Sequence, residues 1–140
     1  MAKTKIAKIS GKYTINYNAT VGTSDTLMIF NTLDNDQQGI YNSSTGVLTA
    51  PEAGTIDFKA ALSTNYTAAA HDLTITVYKN GILVSDNLRT MQAGSGGRCQ
   101  FVDSVQVAAN DLITIRARCT AATTTNNSVN QNYFTFGFRR

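Results

Sequence analysis

An all-β sandwich of about eight to ten antiparallel strands is the fold class predicted for this chain, on three observations. Short runs with period-two alternation recur along its 140 residues, separated by turn residues. Threonine occupies strand positions such as Thr74, Thr76 and Thr114, where a branched side chain suits a pleated surface. Charged residues are sparse, at 15%, and an Asn-Gly dipeptide sits between two apolar runs where a hairpin turn would fall. The length fits one domain with a core large enough to dispense with disulfide staples.

The elements follow in chain order. After a basic lead, Tyr13, Ile15 and Tyr17 alternate with Thr14 and Asn16, which marks a half-buried strand opening the domain. Residues 1–18 are thus expected to be a docking segment plus first strand, and 19–140 the sandwich. Thr26-Leu27-Met28-Ile29-Phe30 is a continuous apolar run ending in Asn31-Thr32-Leu33-Asp34-Asn35-Asp36. Within QGIYNSSTGVLTAPEAGTIDF, residues 38–58, Tyr41 closes a short apolar edge and Asn42-Ser43-Ser44-Thr45-Gly46 makes a tight turn. Val47, Leu48 and Thr49 then resume as strand until Pro51 removes a backbone donor. Gly54 begins the next strand, which runs through Phe58, Ala60 and Leu62. A fresh alternation covers 73–78, and Lys79-Asn80-Gly81-Ile82 supplies the positive φ values of a type I′ turn. Residues 100–107 and 111–117 read as a hairpin joined by Ala108-Ala109-Asn110, and Tyr133-Phe134-Thr135-Phe136-Gly137-Phe138 as a closing strand.

That last hairpin carries a prediction about the two cysteines. Pairing Val105 with Ile113 buries both apolar faces and brings Cys99 opposite Cys119. The register allows either two neighbouring thiols or a cross-strand disulfide, and compartment decides between them. Thiols reduced during cytoplasmic assembly, open to oxidation after release, are the expectation.

Taken together, Tyr41, Ser44-Thr45-Gly46, Thr49-x-Pro51-x-x-Gly54, Phe58, Lys79-Asn80-Gly81, Asn110-Asp111 and Phe136-Gly137-Phe138 resemble the globular head of complement component 1q. That head is a tumour necrosis factor-like jelly roll, and the resemblance spans about 27–138 in family order. Three departures stand out: Ile56 replaces an aromatic, Asn110 replaces the glycine of a Gly-Asp turn, and Phe134, Phe136 and Phe138 share one face. The resemblance implies a jelly roll that forms homotrimers, with neighbouring termini at one end and loops free at the other. Phe30, Tyr41, Phe58, Tyr133, Phe134, Phe136 and Phe138 would fill the sandwich or, where exposed, form an apolar patch buried by a threefold contact.

Catalysis finds little support. His71 is the only histidine and reads as an exposed loop residue, which excludes a multi-histidine zinc site. Glu52 is the sole glutamate, and Gly94-Ser95-Gly96-Gly97-Arg98 lacks the Lys-Ser/Thr ending of a phosphate loop. Asp34 and Asp36 could offer oxygens to calcium, but the spacing equally suits a plain turn, so no cofactor is expected. The net charge of +3 comes partly from Lys3, Lys5, Lys8 and Lys12 and from Arg139 and Arg140, a distribution that suits docking and edge protection better than nucleic acid. No window reaches the roughly 18 apolar residues of a membrane helix, and the first residues lack the apolar core of a secretion signal. Sequons at Asn18, Asn42, Asn65 and Asn126 read as part of an Asn/Thr-rich surface.

The expected function is therefore a non-enzymatic trimeric structural or adhesive module of a virus particle: a phage fibre tip, tail appendage or capsid decoration. Its partners would be further copies of itself, other virion proteins and a host-surface protein or glycan. Residues 63–72, 91–98 and 120–131 would face the target, with Asn65, Tyr66, His71, Arg98, Asn126 and Asn127 as contacts. The lysine-rich lead would dock to the particle. The alternative is a secreted, extracellular recognition module of the complement 1q type that binds protein or carbohydrate.

Overall fold

The structure, a computed structural model, describes residues 9–36, 38–65, 70–91, 97–126 and 128–140. Its strands in chain order are β1 Ser10–Thr14, β2 Thr20–Val21, β3 Thr26–Leu27, β4 Thr32–Asp36, β5 Tyr41–Asn42, β6 Val47–Thr49 and β7 Gly54–Thr64. β8 His71–Lys79, β9 Ile82–Met91, β10 Gly97–Val107, β11 Leu112–Cys119, β12 Thr123–Thr124 and β13 Tyr133–Arg139 complete them. One sheet has the order β10-β7-β13-β1-β4 and the other β5-β6-β11-β8-β9, with β3 added to β11 and a small β2–β12 pair at one end. All pairings are antiparallel, as a jelly-roll sandwich requires.

Period-two alternation puts Ile56, Phe58, Ala60 and Leu62 of β7 on one side of the core and Leu73, Ile75 and Val77 of β8 on the other. The Tyr41 ring lies 4.5 Å from Tyr13 and 5.5 Å from Phe134, which in turn lies 5.7 Å from Phe30 and 5.5 Å from Phe136. Phe58 packs edge-on against Phe101 at 5.4 Å. Phe30, Tyr41, Phe58, Phe134 and Phe136 are all buried within the single chain, and Phe138 packs against them partly exposed. Those five rings are therefore the sandwich's own filling, while Phe138 and Tyr133 remain partly exposed.

Tyr41 also ties the polar backbone of the core together. Its hydroxyl accepts from the Phe30 N–H at 3.0 Å, and its carbonyl accepts from the Tyr13 hydroxyl at 3.2 Å. Burial, together with the neighbouring Asp36, holds the Tyr13 phenol well above its ordinary range.

Two turns behave as their residues demand. Asn80 and Gly81 take φ of 52° and 80°, the type I′ pattern, and Asn110 takes 70° in the place where the family carries glycine. At Gly54 a Cβ would overlap the Arg139 carbonyl oxygen and come within 2.6 Å of the Phe138 ring. Only glycine lets β7 start beneath the end of β13.

Three expectations are corrected. β10 and β11 are not a hairpin: β10 pairs with β7 and β11 with β8, in different sheets. The 108–111 turn carries the chain across the core instead, a path that satisfies the same inward alternation as side-by-side pairing. Cys99 accordingly faces Leu62 and Cys119 faces Leu73, and both are free, buried thiols with no disulfide between them. Burial raises both thiol pKa values. Residues 34–36 belong to β4 rather than a turn, because a register shift at Lys12/Tyr13 accommodates an extra residue opposite β1. Asp34 pairs with Lys12 at 3.4 Å, and Asp36 accepts the Tyr13 hydroxyl at 2.5 Å and the N–H groups of Gln38 and Gly39. Finally, His71 is not an exposed loop residue. It opens β8 opposite Met91 and is 2% exposed, in phase with Leu73, Ile75 and Val77 on the inward face.

Candidate functional site

Strand directions give the molecule two distinct ends. Ser10 pairs with Gly137, and the Phe138 N–H donates to the Ile9 carbonyl, so the first and last described strands meet at one end. The Asn80-Gly81 hairpin and the 108–111 turn lie there too, joined by Asn80 Nδ2 donating to Asp111 Oδ1 at 2.8 Å. At the opposite end Thr64 pairs with Gly97 and bridges to Thr125, while His71 pairs with Met91. The described parts of the three stretches expected to face a target, 63–65 and 70–72, 91 and 97–98, and 120–126 and 128–131, thus converge. The structure brings them together although they are distant in sequence.

Hydrogen bonds bind that end tightly. Asn65 donates through its backbone to the Thr124 carbonyl at 2.8 Å and through Nδ2 to Thr124 Oγ1 at 2.8 Å. The Asp72 N–H donates to Thr120 Oγ1 at 2.8 Å. Asn132, fully buried, accepts the Ser63 N–H on Oδ1 at 2.8 Å and donates from Nδ2 to the Asn126 and Ser128 carbonyls at 3.0 Å each. Asn126 Nδ2 in turn donates to Ser63 Oγ at 3.0 Å and Gln131 Oε1 at 2.7 Å. Asn126 therefore serves the loop's architecture more than a target. Asn132 was not singled out from sequence, because nothing in an Asn-rich stretch distinguishes the one amide that folds inward. Tyr66, Asn127 and residues 92–96 lie outside the described residues.

The outer face of the β10-β7-β13-β1-β4 sheet centres on Tyr133. Lys12 Nζ lies 5.5 Å, Lys59 Nζ 5.7 Å and the Arg98 guanidinium 5.8 Å from its ring centroid, a three-cation surround that favours the ring's negative face. Register explains it: Lys12, Thr135 and Lys59 align in one row of adjacent strands, and Tyr133 sits one row nearer the loops. Lys12 is thus fixed on an interior strand rather than in a free lead, while Lys3, Lys5 and Lys8 lie outside the described residues.

On the other sheet Tyr78 donates its hydroxyl to Asp25, Arg118 Nη1 pairs with Asp25 at 2.9 Å, and Arg116 stacks on Tyr78 at 4.7 Å. Burial acts to raise the Asp25 carboxyl, but Tyr78 and Arg118 outweigh it and hold the group below its ordinary value. A recess of about 640 Å³ beside β5 and β6 is lined in part by Ile40, Asn42, Val47, Thr49 and Pro51.

Exposed apolar side chains gather along the β9–β10 edge. Ile82 is 69% and Val102 72% exposed, with Leu83, Val84 and Leu88 also open. This edge offers apolar surface to a partner.

No family model and no curated protein matches the chain. Solved structures do. Eiger TNF from S. frugiperda aligns with a TM-score of 0.71 and 9% identity, covering 95% of this chain and 93% of that one. Murine APRIL at pH 8.0 aligns with a TM-score of 0.70 and 8% identity, covering 95% of this chain and all of that one. At such identities the likeness is one of fold, and on that evidence the chain is an all-β jelly roll of the tumour necrosis factor type.

Proposed function

We propose that the protein is a trimeric, non-catalytic recognition module of a virus particle, docked through the end that holds its terminal strands and presenting the converged loops to a target. The observation that carries this reading is the separation of those two ends by the full length of the strands. Attachment at one end leaves the opposite end, where Thr64, Gly97 and Thr125 meet, facing away from the particle. The exposed Ile82, Leu83, Val84 and Val102 supply the apolar surface for self-association, and the jelly-roll likeness to TNF-type structures supports a module that works by binding.

Light scattering on purified protein is expected to give three times the chain mass, with Ile82→Asp plus Val102→Asp reducing it to one. A monomeric parent would overturn the trimer. Immunogold labelling and copy counting on purified particles test the virion role: many capsid copies indicate decoration, and a few at a fibre or tail tip indicate receptor binding. The same likeness to TNF-type structures favours a secreted recognition module as the second reading. Absence from any particle, with the protein free outside cells, would establish that reading against the first.

A further inference from the structure

We propose that the recess on the outer flank of β5 and β6 binds a neutral saccharide, with its hydroxyl groups met by Asn42, Thr45, Thr49 and Asn110 and its C–H face resting on Val47 and Pro51. The recess has a volume of about 640 Å³, within the range of about 300–1,000 Å³ usual for small-ligand sites. Alternation builds it: Tyr41 and Leu48 point into the core, so Asn42, Val47 and Thr49 turn outward. Asn110 reaches the same flank from the 108–111 turn, where its N–H donates to the Ala50 carbonyl at 2.8 Å.

Spare hydrogen-bonding capacity is the first argument. Asn42 Oδ1 accepts the N–H groups of Ser44 at 2.9 Å and Thr45 at 3.2 Å, which fixes the side chain and leaves Nδ2 unused. The hydroxyl groups of Thr45 and Thr49 make no hydrogen bond to another described residue, and neither does the side-chain amide of Asn110.

Asn110 supplies the second argument. Its φ of 70° is one that glycine adopts at less cost, and an asparagine there usually bonds the backbone of its own turn. In this turn Asp111 does that work instead: its Oδ2 accepts the Ala108 N–H at 2.8 Å and its Oδ1 accepts Asn80 Nδ2 at 2.8 Å. The Asn110 amide is left with no structural partner and lines the recess.

The rest of the lining selects the ligand class. No charged side chain is among the described residues that line the recess, so neither an anion nor a cation finds a counter-charge. An apolar ligand would strip water from four polar side chains and return no hydrogen bond. An extended peptide would need a free strand edge, whereas β6 is paired with β5 on one side and β11 on the other. A sugar hydroxyl both donates and accepts, which suits two amides and two hydroxyl groups, and Ile40, Val47 and Pro51 offer aliphatic surface to the ring. The site lies on the flank of the sandwich, so its chemistry does not depend on which end of the molecule faces a target.

Titration of isotopically labelled protein with glucose, galactose and N-acetylglucosamine, followed by NMR, tests the proposal, with glucosamine and glucuronic acid as charged sugars of matched size. At least one neutral sugar is expected to shift the side-chain amide signals of Asn42 and Asn110 saturably, with a Kd below about 10 mM. The charged sugars should bind at least about threefold more weakly than that one. Asn110→Gly suits the φ of its turn, so it should retain the parent melting temperature while weakening the sugar by about fivefold. Thr49→Val removes a hydroxyl from an exposed position and should weaken it by about threefold, which keeps the test valid if Asn110→Gly fails to fold. Absence of saturable binding by all three neutral sugars, equal affinity for a charged one, or unchanged affinity in both variants would each overturn the proposal. Because these measurements need neither a particle nor a trimer, their failure is distinguishable from failure of the virion reading.

Discussion

Truncating Phe134 to alanine separates a core role for the closing aromatic strand from an interface role. The ring is 1% exposed and lies within 5.7 Å, centroid to centroid, of three other rings, those of Phe30, Tyr41 and Phe136. Truncating a buried phenylalanine to alanine costs about 3–5 kcal/mol, and its three ring pairs, worth about 0.5–1.5 kcal/mol each, place this site toward the upper end of that range. The upper part of the first range, about 4–5 kcal/mol, is therefore expected, a large share of the roughly 5–15 kcal/mol that stabilises a domain. Phe134→Leu refills most of the volume and should cost less than half as much. Urea unfolding followed by circular dichroism, at two protein concentrations a hundredfold apart, reads the effect. A core ring lowers the midpoint by the same free energy at both concentrations, with the slope unchanged. A loss below about 1 kcal/mol, or one that appears only as weaker association, would refute the reasoning.

Three further outcomes follow from the same geometry. Tyr41, its phenol pushed up to about 12 chiefly by burial, binds its proton more tightly in the folded state than in the unfolded one, where the value is 10.0. Its contribution of roughly 3 kcal/mol is thus full below pH 10 and lost as pH rises toward 12, so Tyr41→Phe should flatten the alkaline fall in melting temperature; an unchanged profile would exclude Tyr41 as its source. Gly54→Ala should destabilise by about 2 kcal/mol or more through overlap with Arg139 and Phe138, and a variant as stable as the parent would show that β13 yields freely. Cys99 and Cys119 should resist alkylation in the native protein and both react on unfolding in urea without reductant, whereas an intact mass two hydrogens short would reveal a bond the register does not provide.

Local chemistry was legible where one residue type fits one backbone geometry. Asn80-Gly81, Asn110 and Gly54 each announce the turn or strand start they make, and with Tyr41, Ser44-Thr45-Gly46, Pro51, Phe58 and Phe136-Gly137-Phe138 their order along the chain carried the resemblance to a jelly roll. Pairing partners were less legible. The apolar faces of β10 and β11 satisfy alternation equally well as neighbours in one sheet or as members of two facing sheets, and the Val105–Ile113 register followed the first option. His71 shows a subtler loss: its phase with Leu73 pointed inward, but polarity and the flanking alanines suggested a loop. The converging loops were identified singly from length and polarity, while their meeting at one end had no signature, since it depends on strand pairing between residues far apart in the chain. The aromatic strand marked a packing surface, though which one depended on how many rings the core could hold.

The buried amide of Asn132 has a consequence for how binding at the loop end would proceed. By joining Ser63, Asn126 and Ser128 through one side chain, it holds those three residues in place when the protein folds. A flexible loop loses conformational entropy each time it captures a ligand, about 0.5–1.5 kcal/mol for each side chain it immobilises. Here much of that loss has already occurred, offset by the stability of the whole sandwich. Such a surface would select for targets that match it as it stands, and its specificity would lie in shape before contact rather than in adjustment after it.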